Sequence, residues 1–343
     1  MPNRAPSAAA PLEDWLRWQE ALHPQSIALG LERVRDVAGR LGLPADGART
    51  ITVAGTNGKG STAALLSEIY LAAGFRVGTY TSPHLLRYNE RIAVNGEPAP
   101  DAVLTGAFAA VERVRGDTRL TYFEFGTLAA LWLFREAGVA VQVLEVGLGG
   151  RLDAVNLVDA DCAVITAIGL DHVEYLGRDR ESIGREKAGI LRRGRPAVCS
   201  DPQAPASIGE QARAVGAPLW SFGRDFHIQL AADAWNWHGT DVHYKKLPPP
   251  ALPGAIQYVN AAGALAAVTR LQRKLAVREA AVRAGLVRLH LRGRFERHGN
   301  VVLDVAHNVE AARVLADNLR SFDSGGCRFV IGMLSDKPVE AFG

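Results

Sequence analysis

The sequence predicts an α/β fold: a largely parallel central sheet flanked by helices, with a second, smaller α/β unit at the C-terminal end. Three observations predict it. The β-branched run Thr50-Ile51-Thr52-Val53-Ala54 passes at once into glycines and then into a helical stretch at residues 61–73, and strand, loop and helix in that order is the unit of a parallel sheet. Residues 139–146 and 161–168 are nearly unbroken apolar runs, the pattern of strands buried on both faces. After a joint near residues 290–294, Val301-Val302-Leu303-Asp304-Val305 starts a new strand and residues 309–319 a new helix.

Taken in order, residues 1–11 read as a disordered leader and residues 12–22 as an amphipathic helix holding Trp15 and Trp18. Residues 27–43 read as a second helix, stopped by Gly42 and Pro44. A strand is expected at 75–80, an apolar helix at 125–136 and a short strand at 195–200. From 218 to 243 aromatic and polar residues alternate, which predicts a small antiparallel excursion. A turn-rich joint at 248–253 precedes helices at 259–271 and 279–289, and residues 328–333 read as a second strand of the last unit. The expected division is a central domain over residues 1–291 and the start of a C-terminal domain over 292–343. Two strands and one helix bury too little to stand alone. The last unit must therefore dock tightly or be incomplete, and truncation is the favoured expectation.

The 343 residues are 48% hydrophobic and 22% charged, the profile of a soluble globular chain of roughly two to three domains. The net charge of +3, from 39 basic and 36 acidic residues, lacks the clustered basic excess of a nucleic-acid binder. Cys162, Cys199 and Cys327 form neither a metal-ligand pair nor a dithiol motif, and their sparse usage fits a reducing cytoplasm. No apolar run is long enough to span a bilayer.

The chemistry centres on Gly55-Thr56-Asn57-Gly58-Lys59-Gly60-Ser61. Glycines let backbone N–H groups turn towards a phosphate, and the helix that follows adds the positive end of its dipole. Lys59 supplies a cation for the β- and γ-phosphates, and Ser61 a hydroxyl for phosphate or magnesium. The spacing departs from the common G-x-x-x-x-G-K-[ST] pattern: Gly60 separates Lys59 from the hydroxyl, and Val53 stands at the first glycine. A plain glycine turn is the bland alternative; strand, glycines, lysine, hydroxyl and helix in order favour nucleotide binding.

Glu145 ends a buried strand and precedes the glycine loop Gly147-Leu148-Gly149-Gly150. Ligands of open α/β sheets bind at that edge, and a carboxylate there suits Mg²⁺; an acid facing solvent is equally compatible. His172 closes the next strand in the same way, as either a ligand or a hydrogen-bonded structural histidine. Lys187, in Arg185-Glu186-Lys187-Ala188-Gly189-Ile190, reads by charge pattern alone as a surface lysine.

Several blocks then carry a family likeness in order along the chain. They are the phosphate loop, Thr81-Ser82-Pro83-His84-Leu85, Thr121-Tyr122-Phe123-Glu124-Phe125-Gly126-Thr127, Glu145 through Asp153-Ala154, Asp171-His172, the Lys187 block, Gly293-Arg294-Phe295-Glu296 and Asp304-Val305-Ala306-His307-Asn308. From about residue 12 onward the chain resembles the folylpolyglutamate synthases, most closely the bacterial bifunctional dihydrofolate synthase/folylpolyglutamate synthase branch of the Mur ligase superfamily. The resemblance implies a Mur-ligase-type, P-loop-bearing central sheet and a Rossmann-like C-terminal domain. It implies ATP-dependent ligation of L-glutamate to dihydropteroate, to reduced folates such as tetrahydrofolates, or to both, through an acyl phosphate.

By resemblance, Gly55, Thr56, Asn57, Gly58, Lys59, Gly60, Ser61, Asn260 and Arg294 hold ATP. Ser82, Glu145, His172 and a carbamylated Lys187 hold two Mg²⁺ ions, with room for a monovalent cation. The likeness makes Lys59, Lys187, His172 and Glu145 the catalytic set. It places Phe123, Asp153 and Ala154 at the pterin, and Asp304 and His307 near glutamate. It also implies small-molecule partners only, a monomer, and no membrane or nucleic-acid partner. Val155 and Ile256 depart from the family, which often has Thr and His at those positions. A peptidoglycan-precursor Mur ligase would share the loop, Glu145, His172 and Lys187, but not the Thr81 and Thr121 blocks together. A non-catalytic nucleotide-binding module would need none of Glu145, His172 and Lys187.

Overall fold

The computed structural model describes residues 4–44, 47–322, 326 and 328–333. Two amphipathic helices open the chain, α1 (Leu12–Glu20) and α2 (Glu32–Arg40), and their apolar stripes, with Trp15, Val34 and Val37, bury against the helices at residues 101–115 and 122–136 that cover one side of the sheet. β1 (Arg49–Ala54), α3 (Lys59–Ala72) and β2 (Val77–Tyr80) make the first crossover. β3 (Ile92–Val94) and β4 (Glu97–Pro98) extend one edge, and α4 (Asp101–Arg115) and α5 (Tyr122–Glu136) cover that side. β5 (Val141–Glu145), β6 (Cys162–Ile165), α6 (Val173–Leu176), α7 (Arg180–Lys187), β7 (Ala197–Cys199), α8 (Ala206–Val215) and β8 (Leu219–Ser221) complete the sheet and its first layer.

The strand order is β4-β3-β2-β5-β1-β6-β7-β8. The six strands from β2 to β8 pair in parallel, and β3 and β4 are antiparallel additions. Alternation sorts the residues: Ile51, Val53, Val143 and Val164 enter the core on one face, while Ala54, Leu144, Val146 and Ile165 enter the core on the other. Both faces are therefore apolar, which explains the unbroken hydrophobic runs in the sequence. α3 is buried nearly all round, between the sheet and two later helices, α9 (Ala255–Leu271) and α10 (Glu279–Arg288). α10 approaches it at Gly285, where an added Cβ would lie 2.6 Å from Ile69 Cγ1. Before these helices, β9 (Phe226–Leu230), β10 (Trp235–Gly239) and β11 (His243–Leu247) form a separate antiparallel sheet, whose Trp235 and Trp237 are fully buried.

The last unit holds the antiparallel pair β12 (Glu296–His298) and β13 (Val301–Leu303), then α11 (Val309–Phe322). It docks on the first: an added Cβ at Gly254 would lie 2.5 Å from Asn318 Oδ1, and one at Gly169 2.9 Å from the Glu310 carboxyl carbon.

Four expectations change. Residues 7–10 make a turn, and Ser7 O accepts from Trp15 Nε1 at 3.0 Å, so this part of the leader is ordered against α1; Met1 to Asn3 lie outside the described residues. The second helix starts only at Glu32; Gly30 has φ +148° and donates to Leu152 O, so residues 27–30 run extended towards another loop. The excursion begins at β9, because Leu219–Ser221 joins the main sheet in parallel. Residues 328–333 form no strand: Phe329, Val330 and Ile331 are exposed and pair with no strand among the described residues. Cys162 and Cys199 are buried thiols pushed up to about 12 by burial; Cys327 lies outside the described residues. No described helix is long and apolar enough to cross a membrane.

Candidate active site

Register brings the predicted residues together. Val53 pairs with Glu145, Tyr80 with Leu144, and Ala54 with Ile165. The C-terminal ends of β1, β2, β5 and β6 are thus level, and the next residues of each strand (the Gly55 loop, Ser82, Gly147, Asp171-His172) emerge at one edge. This is where a crevice forms in open α/β sheets. The crevice is a cleft of about 550 Å³. Every sequence-predicted site residue lines it, from Gly55 to Ser61 through Ser82, Phe123, Glu145, Asp153, Ala154, His172, Lys187, Asn260 and Arg294 to Asp304 and His307.

The phosphate loop is held from several sides. Thr56 and Asn57 N–H groups donate to Ala167 O, and Thr166 Oγ1 donates to Asn57 O at 2.8 Å. Gly55 has φ +152°, and an added Cβ would sit 1.8 Å from Thr166 Oγ1, so glycine is obligatory. Gly58, left-handed at φ +88°, is the N-cap of α3 and lies under Asn260. An added Cβ at Gly60 would lie 3.7 Å from both Arg294 Nη2 and Glu145 Oε2, so a cation and a carboxylate flank the loop.

Lys59 Nζ donates to Gly55 O at 3.0 Å and Thr56 O at 3.1 Å. Burial lowers its pKa, while Glu145 and Asp171 oppose that shift. Burial raises the pKa of Glu145, against the pull of Lys59 and the Ser82 N–H, which donates to Oε2 at 3.2 Å. Lys187 ends α7, is 4% exposed, and donates from Nζ to Gly55 O at 2.8 Å. Burial, and then the charge of Lys59, lower its pKa to about 7. The surface-lysine alternative therefore fails.

His172 occupies a left-handed φ of +49°, and its N–H donates to Asp171 Oδ1 at 3.0 Å. Asp171 Oδ2 lies 3.6 Å from His307 Nε2, so the acid stands between histidines of the two units. Asp153 accepts from Leu148 N at 2.8 Å and Val155 N at 3.0 Å, fixing the glycine loop, and burial lifts its pKa to about 6. Phe123 lies over that loop: an added Cβ at Gly147 would meet its ring at 2.7 Å.

Sequence reasoning missed Ser26 to Gly30, Arg91 and Glu124, which also line the cleft. Arg33 binds Glu124 Oε1 at 3.0 Å and Ala28 O at 2.6 Å, tying residues 26–30 to α5. Thr121-x-x-Glu124 is a capping box and was a readable signal for Glu124. As for a metal, no three His, Cys, Asp or Glu side chains converge among the described residues. A buried carboxylate beside a serine and a phosphate loop still suits Mg²⁺, which takes one or two carboxylates and completes its shell with phosphate and water.

The Mur ligase middle-domain model matches residues 53–268. The dihydrofolate synthase/folylpolyglutamate synthase of Escherichia coli K12 is 47% identical over 341 residues, covering 98% of this chain and 79% of that relative. The chain belongs to the dihydrofolate synthase/folylpolyglutamate synthase family. Its solved relatives within the family share the fold closely. An Escherichia coli FolC structure in complex with DHPP and ADP has a TM-score of 0.90 at 47% identity, covering 94% of this chain and 77% of that one. A Yersinia pestis bifunctional folylpolyglutamate synthase/dihydrofolate synthase complexed with AMPPNP and Mn has a TM-score of 0.93 at 48% identity, covering 99% and 82%. As members of this family are ATP-dependent ligases, the cleft is the place where this chain's ligase chemistry is to be sought.

Proposed function

We propose that this chain ligates L-glutamate to dihydropteroate, to reduced folates or to both, using ATP, through an acyl phosphate. The observation that carries the reading is one cleft lined both by the phosphate loop with Lys59 and by Phe123 over the Asp153 loop. The kinship supports it.

The γ-phosphoryl group passes to a carboxylate oxygen of the pterin substrate, and ADP leaves. The glutamate amine then attacks the acyl carbon, and the tetrahedral intermediate expels phosphate as the amide forms. Such chemistry needs positioning and charge neutralisation more than a protein nucleophile. Residues 55–61, Asn260 and Arg294 position ATP, and Lys59 balances charge on the phosphates. Phe123 and Ala154 face the pterin, with Asp153 holding their loop. Asp304 and His307 stand on the glutamate side.

Ser82, Glu145 and His172 are the residues that would hold Mg²⁺. When bound, that ion neutralises phosphate oxygens and polarises the transferred group. Lys187 does not suit a cation site as an ammonium. As a neutral amine its Nζ adds to carbon dioxide, with loss of one proton, and the resulting carbamate is a carboxylate-like ligand for a second ion. Residues 1–291 act as the ATP-binding central domain and residues 292–343 belong to the glutamate-binding one. A cytoplasmic monomer with small-molecule partners, and a monovalent cation beside the magnesium ions, complete the reading.

The test is coupled ADP release with dihydropteroate and with tetrahydrofolate, each with and without glutamate. Release that requires both co-substrates supports the reading. Release indifferent to both but stimulated by a muropeptide precursor overturns it.

A further inference from the structure

Asn57 and Asn308 lie 251 residues apart and exchange side-chain amide hydrogen bonds: Asn57 Nδ2 donates to Asn308 Oδ1 at 3.2 Å, and Asn308 Nδ2 to Asn57 Oδ1 at 3.0 Å. Asn57 is the third residue of the phosphate loop. Its backbone is pinned by the two residues that follow β6, through Ala167 O and Thr166 Oγ1. Asn308 is the N-cap of α11: its Oδ1 also accepts from Ala311 N at 2.9 Å, and its backbone O from Ala312 N. It is buried. The phosphate loop is thus shaped from two sides, its backbone by the sheet and its Asn57 side chain by the first turn of a helix in the other unit. That helix also lines the cleft, through Glu310, Val314 and Asn318.

We infer that Asn308 is a positioning residue, through which docking of α11 sets the phosphate loop in its ATP-binding shape. This rests on the ligase reading for its purpose, but the coupling itself concerns nucleotide binding. A half-buried amide pair has two partners to lose. Removing one leaves the other's donor and acceptor unsatisfied, and here the orphan would be Asn57, inside the loop. Seating of the C-terminal unit and ordering of the nucleotide site then become one event rather than two.

The test is calorimetric binding of AMPPNP to the full chain and to Asn308→Ser, Asn57→Ser and the double variant, with KM for ATP and kcat measured alongside. Serine keeps the helix cap and deletes both amide bonds. Asn308→Ser is expected to weaken AMPPNP binding and raise KM for ATP about tenfold, with little change in kcat or in thermal midpoint. In the double variant the loss is expected to be no greater than in Asn57→Ser alone, because the two residues act as one pair. Binding by Asn308→Ser within about twofold of wild type, or losses that add, would overturn the inference. A cap that merely holds α11 moves the midpoint but leaves AMPPNP binding uncoupled from Asn57. If Asn308→Ser does not fold, Asn308→Thr, which also caps and also lacks the amide, is read in the same way; unfolding of both makes Asn308 a folding residue and sinks the proposal. Absence of ligation by the wild type, with the AMPPNP coupling intact, would instead overturn the ligase reading alone.

Discussion

Lys187 Nζ donates to the carbonyl oxygen of Gly55 at 2.8 Å, joining the end of α7 to the start of the phosphate loop across 132 residues. Lys59 Nζ shares that carbonyl at 3.0 Å. The proposed role follows from this placement, because a lysine lowered to about 7 offers a neutral amine near neutral pH. Lys187→Ala is expected to abolish ATP-dependent ligation. Wild-type activity should fall after exhaustive removal of carbon dioxide and return with bicarbonate. Full activity in Lys187→Ala would end the metal-bridge role.

Two buried groups set opposite pH dependences of stability. Lys187 has a native pKa of about 7 against 10.5 unfolded. Between those values the unfolded chain binds the extra proton, so stability rises with pH through that window. Asp153 has a native pKa of about 6 against 3.8 unfolded. There the native chain holds the extra proton, so stability falls as pH rises from 3.8 to about 6 and stays reduced above it. In bicarbonate-free buffer, Lys187→Met should flatten the alkaline rise. Asp153→Asn should gain about 3 kcal/mol relative to wild type between pH 4 and pH 7, on the scale of 1.36 kcal/mol per pKa unit. Denaturant melts of each variant across pH check both; pH-independent differences from wild type would contradict them.

Arg33 holds the buried Glu124 carboxylate and the Ala28 carbonyl together. Arg33→Ala leaves that carboxylate without its cation and releases residues 26–30 from α5. A stability loss of about 2–3 kcal/mol is expected from stranding a buried acid, together with a raised KM for the pterin substrate. Urea unfolding and steady-state kinetics measure the two effects. Unchanged pterin KM would show that residues 26–30 do not shape the pocket.

Gly55→Ala puts a Cβ 1.8 Å from Thr166 Oγ1 in a backbone conformation that alanine rarely adopts. The loop must shift away from β6. AMPPNP affinity is expected to fall by more than about tenfold, the equivalent of 1.4 kcal/mol. Wild-type affinity would mean the loop's shape is not what binds phosphate.

Legibility followed local pattern. β1, the glycines and α3 could be read because β-branched residues, glycines and a helix start are each local signals, and β5 and β6 because burial on both faces leaves unbroken apolar runs. The site residues were recognised by likeness, and their meeting at one edge required the strand order and register. Residues 27–30 looked helical because Ile27 and Leu29 are apolar, yet they face the cleft, and Gly30 turns the chain towards Leu152. Phe329, Val330 and Ile331 have strand chemistry, but a strand also needs an edge to pair with. Lys187 looked like a surface residue because local charge says nothing of a carbonyl 132 residues away.

The most direct test of the central claim uses dihydropteroate labelled with ¹⁸O in its carboxylate, together with ATP and L-glutamate. The expected result is one ¹⁸O in each phosphate released and one new glutamyl amide for each ADP formed. Unlabelled phosphate, or ADP formed without amide, would contradict ligation through an acyl phosphate at this site.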